Sequence, residues 1–336
     1  MLPEAHHVQP DRSLRPLVVA DIGGTNARFG FLGPADALPV AVRTLPTAEH
    51  EGPLQAMQAY LKGLPPELQG AAATGLSASW ALATTVGGDE VVMTNNHWRF
   101  SRQAVQQALG LKALHLFNDF EALAYAVPHL GPQQLQSWDD RLPRLDGTLA
   151  VIGPGTGLGV AGVARTRAGW QALPGEGGHV TLSAANDDEA ELLRLARRQW
   201  PHVSAERLLS GIGLPLLHDC VAQQHGRPGP SLSTEAVVQA GLAGDPVAAR
   251  TLDTFCAMLG SFSGNVALTL GARGGVFLGG GILPRLGPLF FRSAFRQRFE
   301  DKGRFAAFLA GIPTVVITDT MVALSGAEKA AQACAG

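Results

Sequence analysis

Short runs of apolar and β-branched residues alternate along this chain with longer amphipathic stretches. The runs at 17–22, 28–32, 71–76, 114–117, 148–152, 159–164, 275–278 and 314–317 predict β-strands. The stretches at 54–61, 102–109, 121–126, 188–200, 205–209, 246–270 and 326–333 predict helices. Alternation of this kind predicts an α/β architecture. The stretch at 246–270 is long and apolar on more than one side, which predicts a helix buried between domains or in a subunit interface. Gly63-Leu64-Pro65-Pro66 and Gly226-Arg227-Pro228-Gly229-Pro230 read as loops.

At 336 residues the chain exceeds one ordinary core, so two domains are expected. Hydrophobic residues at 46% and charged residues at 16% fit a well-packed enzyme. The net charge of -2 and pI near 6.5 supply no basic field, which argues against a nucleic-acid partner. No apolar run has the length of a membrane helix, and the N-terminus lacks the pattern of a signal peptide. Residues 1–15 are polar and read as a frayed tail, in which the His6-His7 pair is not expected to hold a specific metal. Cys220, Cys256 and Cys334 are odd in number, far apart and without a CxxC pair. That excludes a disulfide framework and a structural zinc site, and it points to the reducing cytoplasm. Cys256 sits in an apolar helical stretch and reads as core.

One internal echo organises the rest. Asp21-Ile22-Gly23-Gly24-Thr25-Asn26-Ala27-Arg28 reads as strand, Gly-Thr turn, strand, and so does the segment from Val151 to Gly159. Two such hairpins, each opening one half of the chain, suggest a duplicated fold with a cleft between the halves. In the first, Gly23 and Gly24 are expected to adopt positive φ and expose N–H groups, with Thr25 adding a hydroxyl. Asp21 could hold a magnesium ion or its water shell; the alternative is an ordinary hairpin. In the second, Gly157-Leu158-Gly159-Val160-Ala161-Gly162 matches GxGxxG, but a β-like run follows where the dinucleotide fingerprint needs a helix. A dehydrogenase reading fails there. No Gly-Lys pair and no HRD or DFG set occur, which removes the Walker A and protein-kinase readings.

Asn118-Asp119 closes the 114–117 run just before a helical stretch, where Asp119 reads either as a helix N-cap or as a polar group facing a ligand crevice. Gly175-Glu176-Gly177-Gly178-His179 places a carboxylate and an imidazole three residues apart among glycines, able to face a polyol. Glu206 reads either as a first-turn helix acid or as a third polyol ligand. Gly279-Gly280-Gly281 could pass beneath a flat adenine ring or simply turn from strand to helix ahead of Pro284.

In their order, these segments resemble the bacterial glucokinase family of the sugar kinase–actin superfamily. Besides those quoted, Met93-Thr94-Asn95-Asn96-His97-Trp98 and His202-Val203-Ser204-Ala205-Glu206-Arg207 carry the likeness, which runs from about residue 17 to about 326. The repressor-related sugar kinases match less well, because their cysteine-rich zinc motif is missing. The resemblance implies a two-domain sugar kinase–actin-like (ribonuclease H-like) fold with an inter-domain cleft. It also implies a smaller domain at 16–120 plus 318–336 and a larger one at 121–317. It implies ATP-dependent phosphorylation of glucose, Mg²⁺ as cofactor, a glycolytic role and a homodimer. Residue by residue, it implies Asp119 as catalytic base, with Asn95, Asn118, Glu176, His179 and Glu206 on the sugar. Asp21, Gly23, Gly24, Thr25 and Asn26 with Gly155, Thr156 and Gly157 correspond to the phosphate loops, and Gly279 and Gly280 to the adenosine region. Two segments depart from the family pattern: 74–89, on the sugar side, and Thr320-Met321-Val322. The competing expectations are a sugar-binding regulator that has lost catalysis, weakened because the segment before Leu17 is too short for a DNA-binding domain, and a kinase for another hexose.

Overall fold

The computed structural model describes residues 13–335, so the His6-His7 pair lies outside the described residues. Two units are distinguished. The first comprises Met1–His129 with Thr166–Gln171 and Thr320–Gly336, the second Leu130–Arg165 with Ala172–Asp319.

The first unit is built on a five-stranded sheet. Its strands are β1 (Leu17–Ile22), β2 (Asn26–Leu32), β3 (Val40–Pro46), β4 (Ser77–Leu82) and β7 (Leu114–Asn118), in the order β3-β2-β1-β4-β7. A small ribbon of β5 (Glu90–Val92) and β6 (Arg99–Ser101) stands apart from it. β1, β2 and β3 run antiparallel to their neighbours, whereas β1, β4 and β7 are parallel. Parallel strands are buried on both faces and read as continuous apolar runs rather than alternating ones. Leu17, Val18, Val19, Ala20 and Ile22 of β1 are all at most 1% exposed, as that rule requires.

The second unit repeats this plan. Its sheet is made of β8 (Leu135–Ser137), β9 (Leu149–Pro154), β10 (Leu158–Thr166), β11 (Gly169–Gly175), β12 (Gly275–Leu278) and β13 (Thr314–Ile317), the Thr166–Gln171 tip of β10–β11 being the piece grouped with the first unit. Their order is β11-β10-β9-β12-β13-β8, with β9, β12 and β13 parallel. The hairpins β1–β2 and β9–β10 thus occupy equivalent places, with Ile22 opposite Ala27 in one and Pro154 opposite Leu158 in the other.

Three expectations are corrected. Residues 71–76 do not form a strand: Pro66–Ala72 is a helix, Gly75 turns the chain at φ 112°, and the strand is Ser77–Leu82. β4 escaped notice because two of its six residues are serines. Both are buried, and Ser79 Oγ meets its need for a partner by donating to the Ala327 carbonyl at 2.6 Å. Residues 205–209 form a single turn rather than a helix. The helix Pro246–Leu270, predicted at its true bounds, lies inside the second unit. It packs against the helices Leu214–Gln224, Thr234–Leu242 and Phe295–Glu300, and Phe255, Cys256, Leu259 and Phe262 join the core. Burial pushes the Cys256 thiol up to about 12, as befits an inert core residue. No described helix is long and apolar enough to cross a membrane.

The crossing of Pro246–Leu270 with Phe295–Glu300 depends on Gly260, where a β-carbon would stand 2.2 Å from the Phe295 carbonyl oxygen. Gly260→Ala must therefore push the two helices apart. Overpacking of this kind costs about 1–3 kcal/mol, and a urea titration of the variant should show a lowered midpoint with an unchanged slope.

Candidate active site

In parallel sheets, ligand crevices form beyond the carboxyl ends of the strands. In the first unit, those ends carry Asp21 and the 23–25 turn after β1, Thr84 shortly after β4, and Asn118 and Asp119 at the end of β7.

The turn between β1 and β2 is closed by the Gly23 N–H donating to the Asn26 carbonyl at 2.9 Å. All three carbonyls of residues 23–25 are held by protein donors. Asn96 Nδ2 donates to the Gly23 oxygen at 3.0 Å, Thr47 Oγ1 to that of Gly24 at 2.8 Å, and the Thr47 N–H to that of Thr25 at 2.9 Å. In a trans peptide the C=O and the following N–H point in opposite directions. With the carbonyls of Gly23 and Gly24 drawn inward, the N–H groups of Gly24 and Thr25 are turned the other way. Successive N–H groups aimed alike form an anion-binding nest. The expected positive φ is not used, since neither Gly23 nor Gly24 adopts it. Gly24 is required by close approach instead: a β-carbon there would lie 2.9 Å from both the β-carbon and the carbonyl oxygen of Asn95. Thr25 and Asn26, at the tip, are exposed.

Asp21 lies half-buried in register with Arg28. Burial pushes its carboxyl above the usual range, and the Arg28 charge opposes that. Arg28 also donates to the Thr320 carbonyl at 2.7 Å, anchoring the segment that departs from the family pattern.

At the end of β7, Asn118 is the helix cap, not Asp119. Asn118 Oδ1 accepts from the N–H groups of Phe120 at 2.9 Å and Glu121 at 3.3 Å, and its Nδ2 donates to the Thr84 carbonyl at 3.2 Å. Asp119, relieved of that task, opens the helix Asp119–Ala126 and accepts the Phe120 N–H through Oδ1 at 2.9 Å. The partial positive charge of a helix N-terminus favours a carboxylate at this position. Asn95 is exposed on the loop between β5 and β6, beside Gly24.

The second unit gathers the remaining residues. The 155–157 turn joins β9 to β10 and is closed by the Gly155 N–H donating to the Gly157 carbonyl at 2.9 Å. Its carbonyls are again held: those of Gly155 and Thr156 accept from the N–H groups of Gly211 at 2.8 Å and Ile212 at 3.2 Å. Gly280 has φ 84° and passes so close that a β-carbon would lie 2.4 Å from the Pro154 oxygen. That brings the 279–281 segment, with Gly279 N–H bonded to the Ile152 carbonyl at 2.9 Å, against the turn. Glu206 Oε2 accepts the Leu158 N–H at 2.9 Å, and a β-carbon on Gly157 would lie 2.4 Å from that same oxygen. His179 stands between two carboxylates, its Nδ1 3.9 Å from Glu206 Oε1 and its Nε2 3.9 Å from Glu176 Oε2. Those separations exceed hydrogen-bond length. The structure thus brings Glu176, His179, Glu206 and the 155–157 turn together.

Among the described residues, no three His, Cys, Asp or Glu side chains gather into a metal site. Thr47 and Thr84, both buried, and Asn96 escaped the sequence reading as site residues. Asn96 lies inside the 93–98 motif and could have been found there; nothing in the pattern marks the two threonines.

Asp21 has a testable signature. Its carboxyl is raised by burial, so its charged form destabilises the fold above that raised value, and the effect fades as pH falls and the group takes up its proton. Asp21→Asn should therefore have a Tm at least equal to that of the parent at neutral pH. The difference should shrink on acidification towards the ordinary carboxylate range, as followed by thermal melts.

A family model described as Glucokinase matches residues 18–334. A curated relative named glucokinase, from Paramagnetospirillum magneticum, is 45% identical over 312 residues, covering 92% of this chain and 95% of its own. A solved glucokinase from an Antarctic psychrotroph aligns with a TM-score of 0.83 at 35% identity, over 93% of this chain and 97% of that one. A ROK family glucokinase from Streptomyces griseus, solved in complex with glucose and AMPPNP, aligns at 0.60 with 18% identity, over 95% of this chain and 99% of that one. At that identity the likeness speaks for the fold alone.

Proposed function

We propose that this chain, which belongs to the glucokinase family and phosphorylates D-glucose with ATP on a two-domain actin-like fold, uses Asp119 as its general base. The observation that carries the assignment is the division of labour at the end of β7. Asn118 caps the helix, so the Asp119 carboxylate is not committed to the capping role at a strand end where ligands bind.

A sugar hydroxyl is a poor nucleophile. Asp119 orients the 6-hydroxyl and takes its proton as the oxygen bonds to the γ-phosphorus. The bond from that phosphorus to the β,γ-bridging oxygen breaks, and ADP leaves. Asn95, Asn118, Glu176, His179 and Glu206 hold the sugar hydroxyls. The N–H groups of the 23–25 and 155–157 turns receive phosphate oxygens, with the hydroxyls of Thr25 and Thr156 and the amide of Asn26 beside them. Gly279 and Gly280 approach the adenosine.

Asp21 is the residue that would hold Mg²⁺, through water. Magnesium is commonly bound by one or two carboxylates plus substrate phosphates. A carboxyl raised by burial gains from a nearby cation, so the residue fits. The ion would neutralise charge on the transferred phosphate. The reading includes the cytoplasm, consistent with three unbonded cysteines, and a homodimer, which sedimentation would test.

Asp119→Asn keeps the side chain's size and its acceptor for the Phe120 N–H but cannot take a proton. It should bind glucose within about threefold of the parent by calorimetry while turnover falls by about 10²–10⁴. Near-normal turnover would assign the base elsewhere.

A further inference from the structure

In the first unit, hydrogen bonds alternating with short covalent segments link the base's neighbour to the nucleotide turn. Asn118 Nδ2 donates to the Thr84 carbonyl at 3.2 Å. The Thr84 hydroxyl lies 3.0 Å from that of Thr94 and donates to the Val92 carbonyl at 2.9 Å. Thr84 is 8% exposed, so these bonds are shielded from water. Thr94 begins the loop that carries Asn95, and the next residue, Asn96, donates through Nδ2 to the Gly23 carbonyl at 3.0 Å. Asn96 Oδ1 accepts the Trp98 N–H at 2.8 Å, and the Trp98 ring is fully buried with Nε1 bonded to the His50 carbonyl at 3.0 Å. The loop is therefore firmly rooted at one end and joined to the nucleotide turn by one amide.

That amide acts on the group that matters. The Gly23 carbonyl and the Gly24 N–H belong to one peptide plane, so whatever fixes the first aims the second. Gly24 also has no β-carbon to keep Asn95 away, which leaves the sugar-side loop and the turn in direct backbone contact. A displacement of Asn95 by a sugar is thus delivered to the peptide that faces phosphate.

We infer that Asn96 is a positioning residue that couples sugar binding to ATP binding: a sugar engaged by Asn95 and Asn118 orders the loop, and Asn96 passes that order to the Gly23–Gly24 peptide. The inference rests on the proposed assignment of Asn95 and Asn118 to the sugar and of the turn to phosphate. Coupling between two ligands is reciprocal and commonly amounts to about 5–150-fold in affinity.

The test is calorimetric titration of AMPPNP with magnesium into the full chain, with and without saturating glucose, and of glucose alone. Asn96→Asp keeps an oxygen for the Trp98 N–H but cannot donate to Gly23. Asn96→Ala removes both bonds without adding charge. Thermal melts establish that each variant is folded. In the parent, glucose should tighten AMPPNP by about 5-fold or more. In both variants that ratio should fall to near one, while glucose affinity stays within about threefold of the parent. A merely structural role would weaken both ligands and leave the ratio intact. Parent-like coupling in folded variants, or no coupling in the parent, overturns the inference. Failure of the parent to bind glucose at all would instead overturn the site assignment beneath it.

Discussion

Backbone passing closer than a β-carbon permits is the constraint on which the candidate residues of each unit depend for their placement. Gly24 meets Asn95 this way, Gly157 meets the Glu206 carboxylate, and Gly280 meets the Pro154 carbonyl. At Gly178 a β-carbon would lie 1.9 Å from the Leu158 oxygen. Each contact joins a segment assigned to one ligand with a segment that shapes a turn. The turns are then held by their carbonyls, which turns the following N–H groups the opposite way, as in an anion-binding nest. Donors fixed before substrate arrives need no reorganisation at the moment of reaction, which is where such groups gain most of their catalytic value.

The repeated topology explains why the same device occurs twice. A parallel strand that feeds an antiparallel hairpin places its turn beyond the carboxyl ends of the sheet. β1–β2 and β9–β10 both do this. The two copies have since diverged in what ties them down. In the first, side chains of Thr47 and Asn96 hold the turn; in the second, backbone N–H groups of Gly211 and Ile212 do, and Glu206 holds the residue that follows. Of the proposed site residues, the first unit contributes a carboxylate at a helix start and the second an imidazole between two carboxylates.

Much of this was legible in the sequence, and what was not has identifiable causes. The buried apolar runs of β1, β7, β12 and β13 announce themselves because parallel strands bury both faces. β4 did not, because two serines are buried in it, Ser79 satisfying its hydroxyl internally, in a core that composition would assign to alanine or valine. The Gly-rich turns were recognised, but for the wrong physical reason: neither Gly23 nor Gly24 uses positive φ, and at Gly24 glycine serves close contact instead. Asp119 and Glu206 were placed in plausible helical surroundings, and the structure removes those readings by giving the cap to Asn118 and dissolving the helix around Glu206. Thr47 and Thr84 were invisible, since a lone buried threonine has no periodicity or spacing to betray it.

The most direct test of the account is a crystal structure with glucose and AMPPNP bound. It should show an Asp119 carboxylate oxygen about 2.6–3.2 Å from the sugar's 6-hydroxyl, with phosphate oxygens on the N–H groups of Gly24 and Thr25. A different acid at the 6-hydroxyl, with Asp119 turned away and the 23–25 turn empty of phosphate, would contradict it.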